Sequence, residues 1–383
     1  MRSLNIMEDA YAITKRQIPK DFDTYSSFER ALNRLDRSST PGYPYNKRGS
    51  TIGDVLGFDG VWFKEFNIQS LWFDVAQLMD GVGWDDLIFN VFIKEEPHKR
   101  SKIEEGRWRL IIGMPLHFQV LSHMLFDFQN DAYIENAYYI PSQQGIKLFE
   151  GNWRTFVSSW KAAGYDIGLD KRAWDWTVTG WKTEVCKIFR QRMVYGENYE
   201  SWCRLVDKAY EALYGSPVLM LSNGMLFKQL HPGIQKSGSL NTISDNSLQQ
   251  VLDHILVCID TGAPIYPLPV AVGDDTLQTQ AQVADLDAYK RYGSFVKSAT
   301  LGLEFVGMEF LSTGPVPVYL EKHLFKIPYF DKPTRTQYFD AMLRLYSYSP
   351  HLALWRRLAY RLDLEESLKS DAYYRSWFEY QLD

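Results

Sequence analysis

The chain has 383 residues and a mass of 44.6 kDa, which exceeds the usual size of one domain and predicts two or three subdomains. Hydrophobic residues make up 45% and aromatic residues 15%, enough for a sizeable core, so the composition excludes a largely disordered chain. The net charge of -5 excludes a uniformly basic nucleic-acid-binding surface, but it allows a local basic channel beside clustered carboxylates.

The cysteines are few and widely spaced. Cys186, Cys203 and Cys258 have neither metal-ligand spacing nor the even number of a disulfide framework, which indicates a reducing compartment. The first residues lack the continuous apolar core of a signal peptide, and the most apolar stretch, 254–272, is interrupted by Asp260 and three prolines. We therefore expect a soluble, cytoplasmic protein without a transmembrane segment.

The first distinctive segment is the run SSTPGYPY at residues 38–45. Two prolines and a glycine restrict the backbone so strongly that they predict a defined extended loop. An ordinary surface loop is the simpler interpretation of this segment taken alone.

A charged hairpin is predicted next. Six Lys and Arg residues and four Glu residues lie between positions 94 and 109, and the apolar runs 91–93 and 110–112 bracket them as two strands. The hairpin is either a solvated element with surface salt bridges or a basic surface that binds triphosphates or RNA phosphates. The segment leaves these two readings equally open.

Residues 113–164 are largely helical by pattern, and a half-buried strand is predicted after them. Apolar and polar residues alternate over 165–170, so the strand delivers Asp170 at its end, and Asp175 follows in the run DKRAWD. An aspartate at the end of a strand is common, and alone it identifies no chemistry.

Helices are predicted at 182–195 and 199–214, and the strongest helical pattern follows Asn246, where apolar residues recur at helical spacing as far as residue 259. If that helix begins near Thr242, then Thr242 and Asn246 lie at i and i+4 on one face. A hydroxyl and an amide together can bind a ribose 2′-hydroxyl, which donates and accepts hydrogen bonds. A plain helix N-terminus with polar residues is the alternative.

A short apolar strand at 267–272 runs into Gly273-Asp274-Asp275, and residues 276–279 can return as its antiparallel partner. Nucleotidyl transfer requires two divalent ions, and Mg²⁺ prefers carboxylate oxygens from separate backbone elements. Asp170 and Asp274 are predicted to end two adjacent strands, with Asp275 beside the second. Gly-Asp-Asp alone is weak support, so the order of the motifs carries the prediction.

The remaining elements are a predicted helix at 282–292, a hairpin at 303–310 and a helical region from residue 321. Leucines supply its expected core: Leu343, Leu345, Leu352, Leu354, Leu358 and Leu362.

Taken in order, these motifs resemble those of the RNA-dependent RNA polymerases of positive-strand RNA viruses, most closely the sobemovirus-like branch. DKRAWD resembles the first palm motif of that family, SGSLNTISDNS the second and AVGDDT the third. The charged hairpin is similar to the fingers motif that lines the nucleotide channel, TPGYPY to the loop at the template entrance, and EFVGMEF to the hairpin that grips the primer. The resemblance extends over residues 38–310.

The resemblance implies an α+β right-hand fold with fingers, a palm built on an antiparallel sheet, and a helical thumb. Fingers would occupy residues 1–164 and 181–231, the palm 165–180 and 232–320, and the thumb 321–383. The chain would then cross between fingers and palm more than once, in agreement with the lack of Pro-, Gly- and Ser-rich linkers.

The resemblance also implies roles for individual residues, with Mg²⁺, or Mn²⁺ in its place, as cofactor. The metal ligands would be Asp170, Asp274 and Asp275, and the general acid Lys297, with Lys290 as the second choice. The nucleotide would be bound by Lys94, Lys102, Arg109, Asp175, Ser237, Gly238, Thr242 and Asn246. The RNA would be bound by Thr40, Pro41, Gly42 and Tyr43.

The expected partners are the RNA template, nascent RNA, ribonucleoside triphosphates, and other viral replication proteins or a protein primer. The expected location is the host cytoplasm, at membrane-associated replication complexes. Three alternatives stay open: a reverse transcriptase or DNA polymerase, a catalytically silent RNA-binding replication protein, and an unrelated metal-dependent hydrolase. Asp175 and Asn246 disfavour the first, because a polymerase for deoxynucleotides gains nothing by binding a 2′-hydroxyl.

Overall fold

The computed structural model of the chain describes residues 1–98, 100–283 and 285–379. The α-helices are α1 Arg2–Ala10, α2 Tyr25–Arg34, α3 Ile52–Leu56, α4 Glu65–Met79, α5 Arg100–Glu104, α6 Leu116–Glu135, α7 Asn152–Ala162, α8 Trp174–Thr177, α9 Gly180–Arg192, α10 Tyr199–Tyr210, α11 Thr242–Thr261, α12 Leu320–Phe325, α13 Lys332–Leu345, α14 Leu352–Arg361 and α15 Asp371–Glu379. The strands are β1 Arg16–Gln17, β2 Ile88–Ile93, β3 Leu110–Gly113, β4 Ile167–Lys171, β5 Val194–Tyr195, β6 Val218–Leu221, β7 Leu226–Lys228, β8 Val270–Val272, β9 Asp275–Gln278, β10 Val296–Leu301, β11 Glu304–Phe305, β12 Met308–Leu311 and β13 Gly314–Pro317. In the described ranges no helix is both long and apolar enough to span a bilayer.

A four-stranded antiparallel sheet, here called the central sheet, has the order β10-β4-β9-β8. Residues of β4 point into a small core that is shared with α11, where Ile167, Leu169 and Val257 are all buried. This packing fixes the position of the polar face of α11 relative to the end of β4. The central sheet and α11 together position most of the predicted site.

A second four-stranded sheet, here called the outer sheet, has the order β3-β2-β6-β7. Strands β2 and β3 form the predicted hairpin with Val91 opposite Ile112, and β2 pairs with β6 in parallel. Residues more than a hundred positions apart therefore build one sheet. The short strands β1 and β5 pair in the same way across the chain.

The largest hydrophobic core joins the N-terminal helices, the outer sheet, α6, α9, α10 and α11. The C-terminal helices have their own core around the fully buried Trp355, which includes Leu343 and Leu352. Of the other predicted core leucines, Leu345, Leu358 and Leu362 pack at its margin, and Leu354 is half-buried. A further cluster around Trp160 joins α7, the central sheet and α15.

The predicted helix at 282–292 is wrong. Two 3-10 helices, Gln280–Gln282 and Leu286–Tyr292, take its place, with Ala284 between them outside the described residues. Each starts at its own capping side chain: Thr279 pairs with Gln282, and the carboxylate of Asp285 accepts two backbone N–H groups. Two separate caps begin two short helices where the apolar pattern suggested one.

The predicted strand at 267–272 is only half as long, because β8 begins at Val270. Pro267 and Pro269 have no N–H group, so they cannot add hydrogen bonds to the sheet. The hairpin at 303–310 and the start of α11 at Thr242 are confirmed.

Of the two helices predicted before α11, the first ends at Arg192, earlier than expected, and the second extends as far as predicted. Residues 194–195 form β5 because they pair with β1, and residues 211–215 continue α10 as a π-helical turn. The region from residue 321 is helical as far as it is described, and its last four residues, 380–383, lie outside the described residues.

Candidate active site

The three predicted metal-binding aspartates lie at one edge of the central sheet. Asp170 is the fourth residue of β4, Asp274 is in the two-residue loop between β8 and β9, and Asp275 begins β9. The predicted adjacency needs one correction: the neighbour of β4 is β9, not β8. Leu169 pairs with Thr276, so the register carried one residue further puts Asp275 opposite Asp170.

The tip of the β8–β9 hairpin is anchored to α11. Gly273 has a φ of 63°, a left-handed conformation that glycine adopts without strain. Its N–H donates to the hydroxyl of Ser247 at 2.9 Å, and that hydroxyl donates to the carbonyl of Ile243. This role of Ser247 could not be predicted from the sequence, because one more polar residue near the start of a helix has no distinctive pattern. The bond fixes the position of Asp274 and Asp275, which follow Gly273, relative to α11.

The carboxylates share a cavity of about 400 Å³, which is also lined by Glu304 and Lys297. Burial, aided by the charges of Asp274, Asp170 and Glu304, raises the pKa of Asp275 to about 6. The loss of solvent around its carboxylate and the charge of Asp170 raise the pKa of Asp274, although Asp274 lies at the exposed tip of the β8–β9 hairpin. Carboxylates that repel one another in this way form a donor set that fits divalent cations.

Glu304 was not among the predicted site residues. It begins β11, in the hairpin whose resemblance pointed to a primer contact, and its charge acts on Asp275. In the described part of the chain, no group of three His, Cys, Asp or Glu side chains is already close enough to form a ready-made metal cluster.

Of the two lysines proposed as general acid, only Lys297 lies at the carboxylates. It is in β10 at an irregularity in the pairing with β4, and its ammonium group donates to a carboxylate oxygen of Asp170. Lys290 instead pairs with Asp287 at 2.8 Å, and both of these side chains are exposed. The structure therefore places Lys297, and not Lys290, within reach of the site.

Asp175 and Asn246, the residues predicted to select the ribose, are hydrogen-bonded to each other. The amide nitrogen of Asn246 donates to Oδ1 of Asp175 at 3.0 Å. Burial raises the pKa of Asp175, and the charge of Asp274 adds to this, while the bond from Asn246 and the charge of Arg109 oppose it. Asn246 directly precedes Ser247, whose hydroxyl accepts from the N–H of Gly273, so the pair lies close to the hairpin tip that carries Asp274.

Thr242 begins α11 as predicted, but its hydroxyl points into the preceding loop. It donates to the carbonyl of Lys236 at 2.8 Å and lies 3.0 Å from the hydroxyl of Ser239. Its direct contact with a ribose stays a prediction. The observed bonds give it a place in holding the loop that leads to Asn246.

Ser237 and Gly238 attach this loop to the basic hairpin. The hydroxyl of Ser237 donates to the carbonyl of Leu110 at 2.9 Å. A Cβ atom on Gly238 would lie 2.2 Å from the carbonyl oxygen of Ile112, so only glycine permits this approach. The loop and the hairpin therefore form one wall of the site.

Among the predicted basic residues, Arg109 has the clearest link to the aspartates. Its charge lowers the pKa of Asp175 and of Asp274 against the effect of burial, while its guanidinium group pairs with Glu96 at 2.6 Å. Lys94 pairs with the same glutamate at 3.2 Å. Lys102 lies on the short helix α5 and makes no bond to the aspartates, and Lys99 is outside the described residues.

The predicted template loop packs on the outer sheet. Pro41 and Gly42 are buried, and the N–H of Tyr43 donates to the side chain of Asn90 at 2.7 Å. Thr40 is half-buried, and its carbonyl accepts from the side chain of Gln119. The loop is thus defined, but it is not extended as predicted, because Gly42 has a φ of 66° and Tyr45 begins a 3-10 helix. Its contact with RNA stays a prediction.

These arrangements can be compared with known proteins. The sequence profile described as viral RNA-dependent RNA polymerase matches residues 18–257, more than half of the chain. The chain belongs to the viral RNA-dependent RNA polymerase family. The family and the sobemovirus-like resemblance predicted from the motifs are confirmed.

Several viral proteins are similar over much of the chain. The RNA-directed RNA polymerase of Mushroom bacilliform virus is 28% identical, over 82% of this chain and 79% of that protein. Protein P1-P2 of Turnip yellows virus is 34% identical over 62% of this chain and 23% of that protein. Replicase polyprotein P2AB of Southern cowpea mosaic virus is 34% identical over 66% of this chain and 27% of that protein. The chain spans about a quarter of these last two relatives.

A solved structure shares the fold. The RNA-dependent RNA polymerase 3Dpol of a Sicinivirus superposes with a TM-score of 0.72 at 13% identity, over 96% of this chain and 80% of the other. The predicted α+β right-hand fold is confirmed. The boundaries of fingers, palm and thumb stay predictions.

Proposed function

We propose that the chain synthesises RNA on an RNA template from ribonucleoside triphosphates, in the replication and transcription of a viral genome. One observation carries the proposal. Asp170, Asp274 and Asp275 line one cavity at the end of the central sheet, and the Asp175–Asn246 pair is tied to it because Asn246 directly precedes Ser247, which holds Gly273. Metal-binding carboxylates next to a hydroxyl-binding pair are what ribonucleotide transfer requires.

Asp170 and Asp274 would be the principal ligands of two Mg²⁺ ions, with Mn²⁺ able to replace them, and Asp275 would assist. When bound, such ions activate the attacking hydroxyl and stabilise charge on the leaving pyrophosphate. The ammonium group of Lys297 contacts one carboxylate oxygen of Asp170, which leaves the other oxygen available to a cation. That ammonium group would hold the proton that the pyrophosphate receives.

The basic hairpin would bind the triphosphate. Arg109 and Lys94 share Glu96 and are both partly exposed, so each can exchange that carboxylate for phosphate oxygens. Lys102 would add positive charge at the outer end. Ser237, Gly238 and Thr242 would shape the loop between this wall and the ribose-selecting pair.

The remaining partners follow from the same proposal. The template would pass the loop of Thr40, Pro41, Gly42 and Tyr43, where Lys47 lies 4.7 Å from the ring centroid of Tyr43. Other viral replication proteins or a protein primer would complete the machinery. We propose the host cytoplasm, at membrane-associated replication complexes, as its location.

The decisive test is RNA-templated incorporation of labelled nucleotides, with and without a primer, in Mg²⁺ or Mn²⁺. The wild-type chain should extend with ribonucleotides, and Asp274→Asn should reduce incorporation by about a thousandfold or more while the melting temperature is kept. The control is Asp287→Asn, an exposed aspartate paired with Lys290, which should stay active. Retained activity in Asp274→Asn contradicts the proposed ligand set.

The same assay separates the alternatives. Equal use of deoxynucleotides would indicate a reverse transcriptase or DNA polymerase. Metal-independent RNA binding without any elongation would indicate a catalytically silent binding protein. Either result contradicts the proposed function.

A further inference from the structure

Trp174 lies between Asp170 and Asp175 in the sequence, and its side chain is buried. It follows β4, begins the short helix α8, and directly precedes Asp175. Its indole N–H donates to Oδ1 of Asn246 at 2.9 Å. The bond is distinct from the contact between Asn246 and Asp175, because it uses the other end of the same amide.

These two bonds allow the amide of Asn246 only one orientation. An inverted amide would set its NH₂ group against the indole N–H and its oxygen against the carboxylate of Asp175, so both bonds would be lost. Because Trp174 holds Oδ1 towards its indole ring, the Asn246 amide directs its N–H donors to the side of Asp175, whose oxygens are acceptors. A 2′-hydroxyl can accept from the first and donate to the second, whereas a deoxyribose can do neither.

The indole ring of Trp174 is itself held in place. The ammonium groups of Lys171 and Lys182 each lie 4.8 Å from its ring centroid. Both lysines are buried, so neither can move into solvent without breaking its contacts.

The two lysines are anchored on the helix that carries Asn246. Lys182 pairs with Asp253 at 2.8 Å, and Lys171 donates to the side chain of Gln250. Asn246, Gln250 and Asp253 are at i, i+4 and i+7 of α11 and therefore share one face. The face that presents Asn246 thus also fixes the ring that orients it.

We propose that Trp174 is a positioning residue for sugar selection, which acts by fixing the amide orientation of Asn246. The proposal rests on the proposed RNA synthesis and adds a specificity-determining residue to it. Replacement by phenylalanine removes the N–H donor and keeps an aromatic ring, so it tests the bond more than the packing.

The test compares kcat/KM for a ribonucleotide and for its 2′-deoxy analogue in single-nucleotide extension of a primed RNA template. Trp174→Phe should lower the ribo-to-deoxy ratio by roughly tenfold, the effect of losing one buried hydrogen bond. Trp176→Phe is the matched control, because Trp176 lies on the same short helix with its side chain exposed and has no such bond. It should leave the ratio unchanged.

A double variant locates the effect. In an Asn246→Ala background, Trp174→Phe should cause no further change in the ratio, because the bond is already lost. A further drop there, or an unchanged ratio in active Trp174→Phe protein, overturns this inference alone. A wild-type chain that incorporates no nucleotide overturns the proposed function and this inference together.

A second measurement covers the case in which Trp174→Phe does not fold. Asn246→Ala protein labelled with ¹⁵N-tryptophan should show a shifted indole N–H signal from a buried tryptophan, relative to the wild-type chain. If every indole signal stays in place, the bond is absent in solution and the proposal is wrong.

Discussion

The ion pairs between α9 and α11 are buried, whereas those on the basic hairpin are exposed to solvent. Lys182 and Asp253 are 2.8 Å apart and both fully buried, whereas Arg109 pairs with Glu96 at 2.6 Å with about half of its side chain exposed. A buried pair cannot lose one partner without leaving an unsolvated charge, while an exposed pair exchanges partners at little cost. The first arrangement suits fixed geometry, and the second suits the binding and release of phosphates.

The largest effect is expected when the buried ion pairs are broken. Asp253→Asn should lower the free energy of unfolding by about 3–5 kcal/mol, because two buried lysines lose their carboxylate. Glu104→Gln, which breaks the exposed Arg100–Glu104 pair, should cost less than about 0.5 kcal/mol. Urea unfolding of both variants measures the difference, and equal losses would contradict the distinction.

The second prediction concerns an exposed pair at the sheet edge. Lys297→Ala should lower kcat for nucleotide incorporation by about a hundredfold, since a positioned general acid contributes at least this much. The melting temperature should change little, because the side chain is 61% exposed. Lys290→Ala is the matched control and should keep kcat within about twofold. Equal kcat values for the two variants would contradict the assignment of Lys297.

Features that depend on contacts between residues near each other in the sequence could be predicted from the sequence. Asp170 and Asp274 were predictable because strand patterns are local, and Asn246 because helical spacing is local as well. The cap at Asp285 is also local, but the apolar pattern was given more weight than the caps, and the helix was predicted wrongly.

The rest depended on contacts between distant segments. Glu304 lies at the site because β11 packs near β9, and no local pattern contains that information. Lys171 and Lys182 look like ordinary surface lysines in the sequence, and only α11 explains their burial. The order of β4, β9 and β8 was likewise beyond a reading of single strands.

The third prediction tests the exposed side of the comparison. Arg109→Ala should reduce kcat/KM for the nucleotide by roughly tenfold, mainly through KM, because its charge acts near Asp175 and Asp274. Lys102→Ala should have a smaller effect, since no bond ties Lys102 to the aspartates. Both variants should unfold at the wild-type temperature. A larger loss for Lys102→Ala would reverse the proposed order of the two residues.

The smallest effect is a change of stability with pH, measured without divalent cations. The pKa of Asp275 is raised from its ordinary 3.8 to about 6, so the folded chain binds this proton more tightly than the unfolded chain. Its ionisation therefore destabilises the fold above pH 6, and the penalty disappears as the pH falls from 6 towards 4. Asp275→Asn should be about 1–2 kcal/mol more stable than the wild-type chain at pH 7.5 and similar to it near pH 4.

Added Mn²⁺ should reduce or reverse that difference, because the wild-type chain offers the cation three ionised carboxylates and the variant only Asp170 and Asp274. Urea unfolding at several pH values, with EDTA or with Mn²⁺, measures both effects. A constant difference between the two proteins across pH would mean that Asp275 is not destabilised by its neighbours. The crowding of Asp275, Asp274 and Asp170 would then no longer support a cation site at the end of the central sheet, whereas the ion pairs of the basic hairpin would be unaffected.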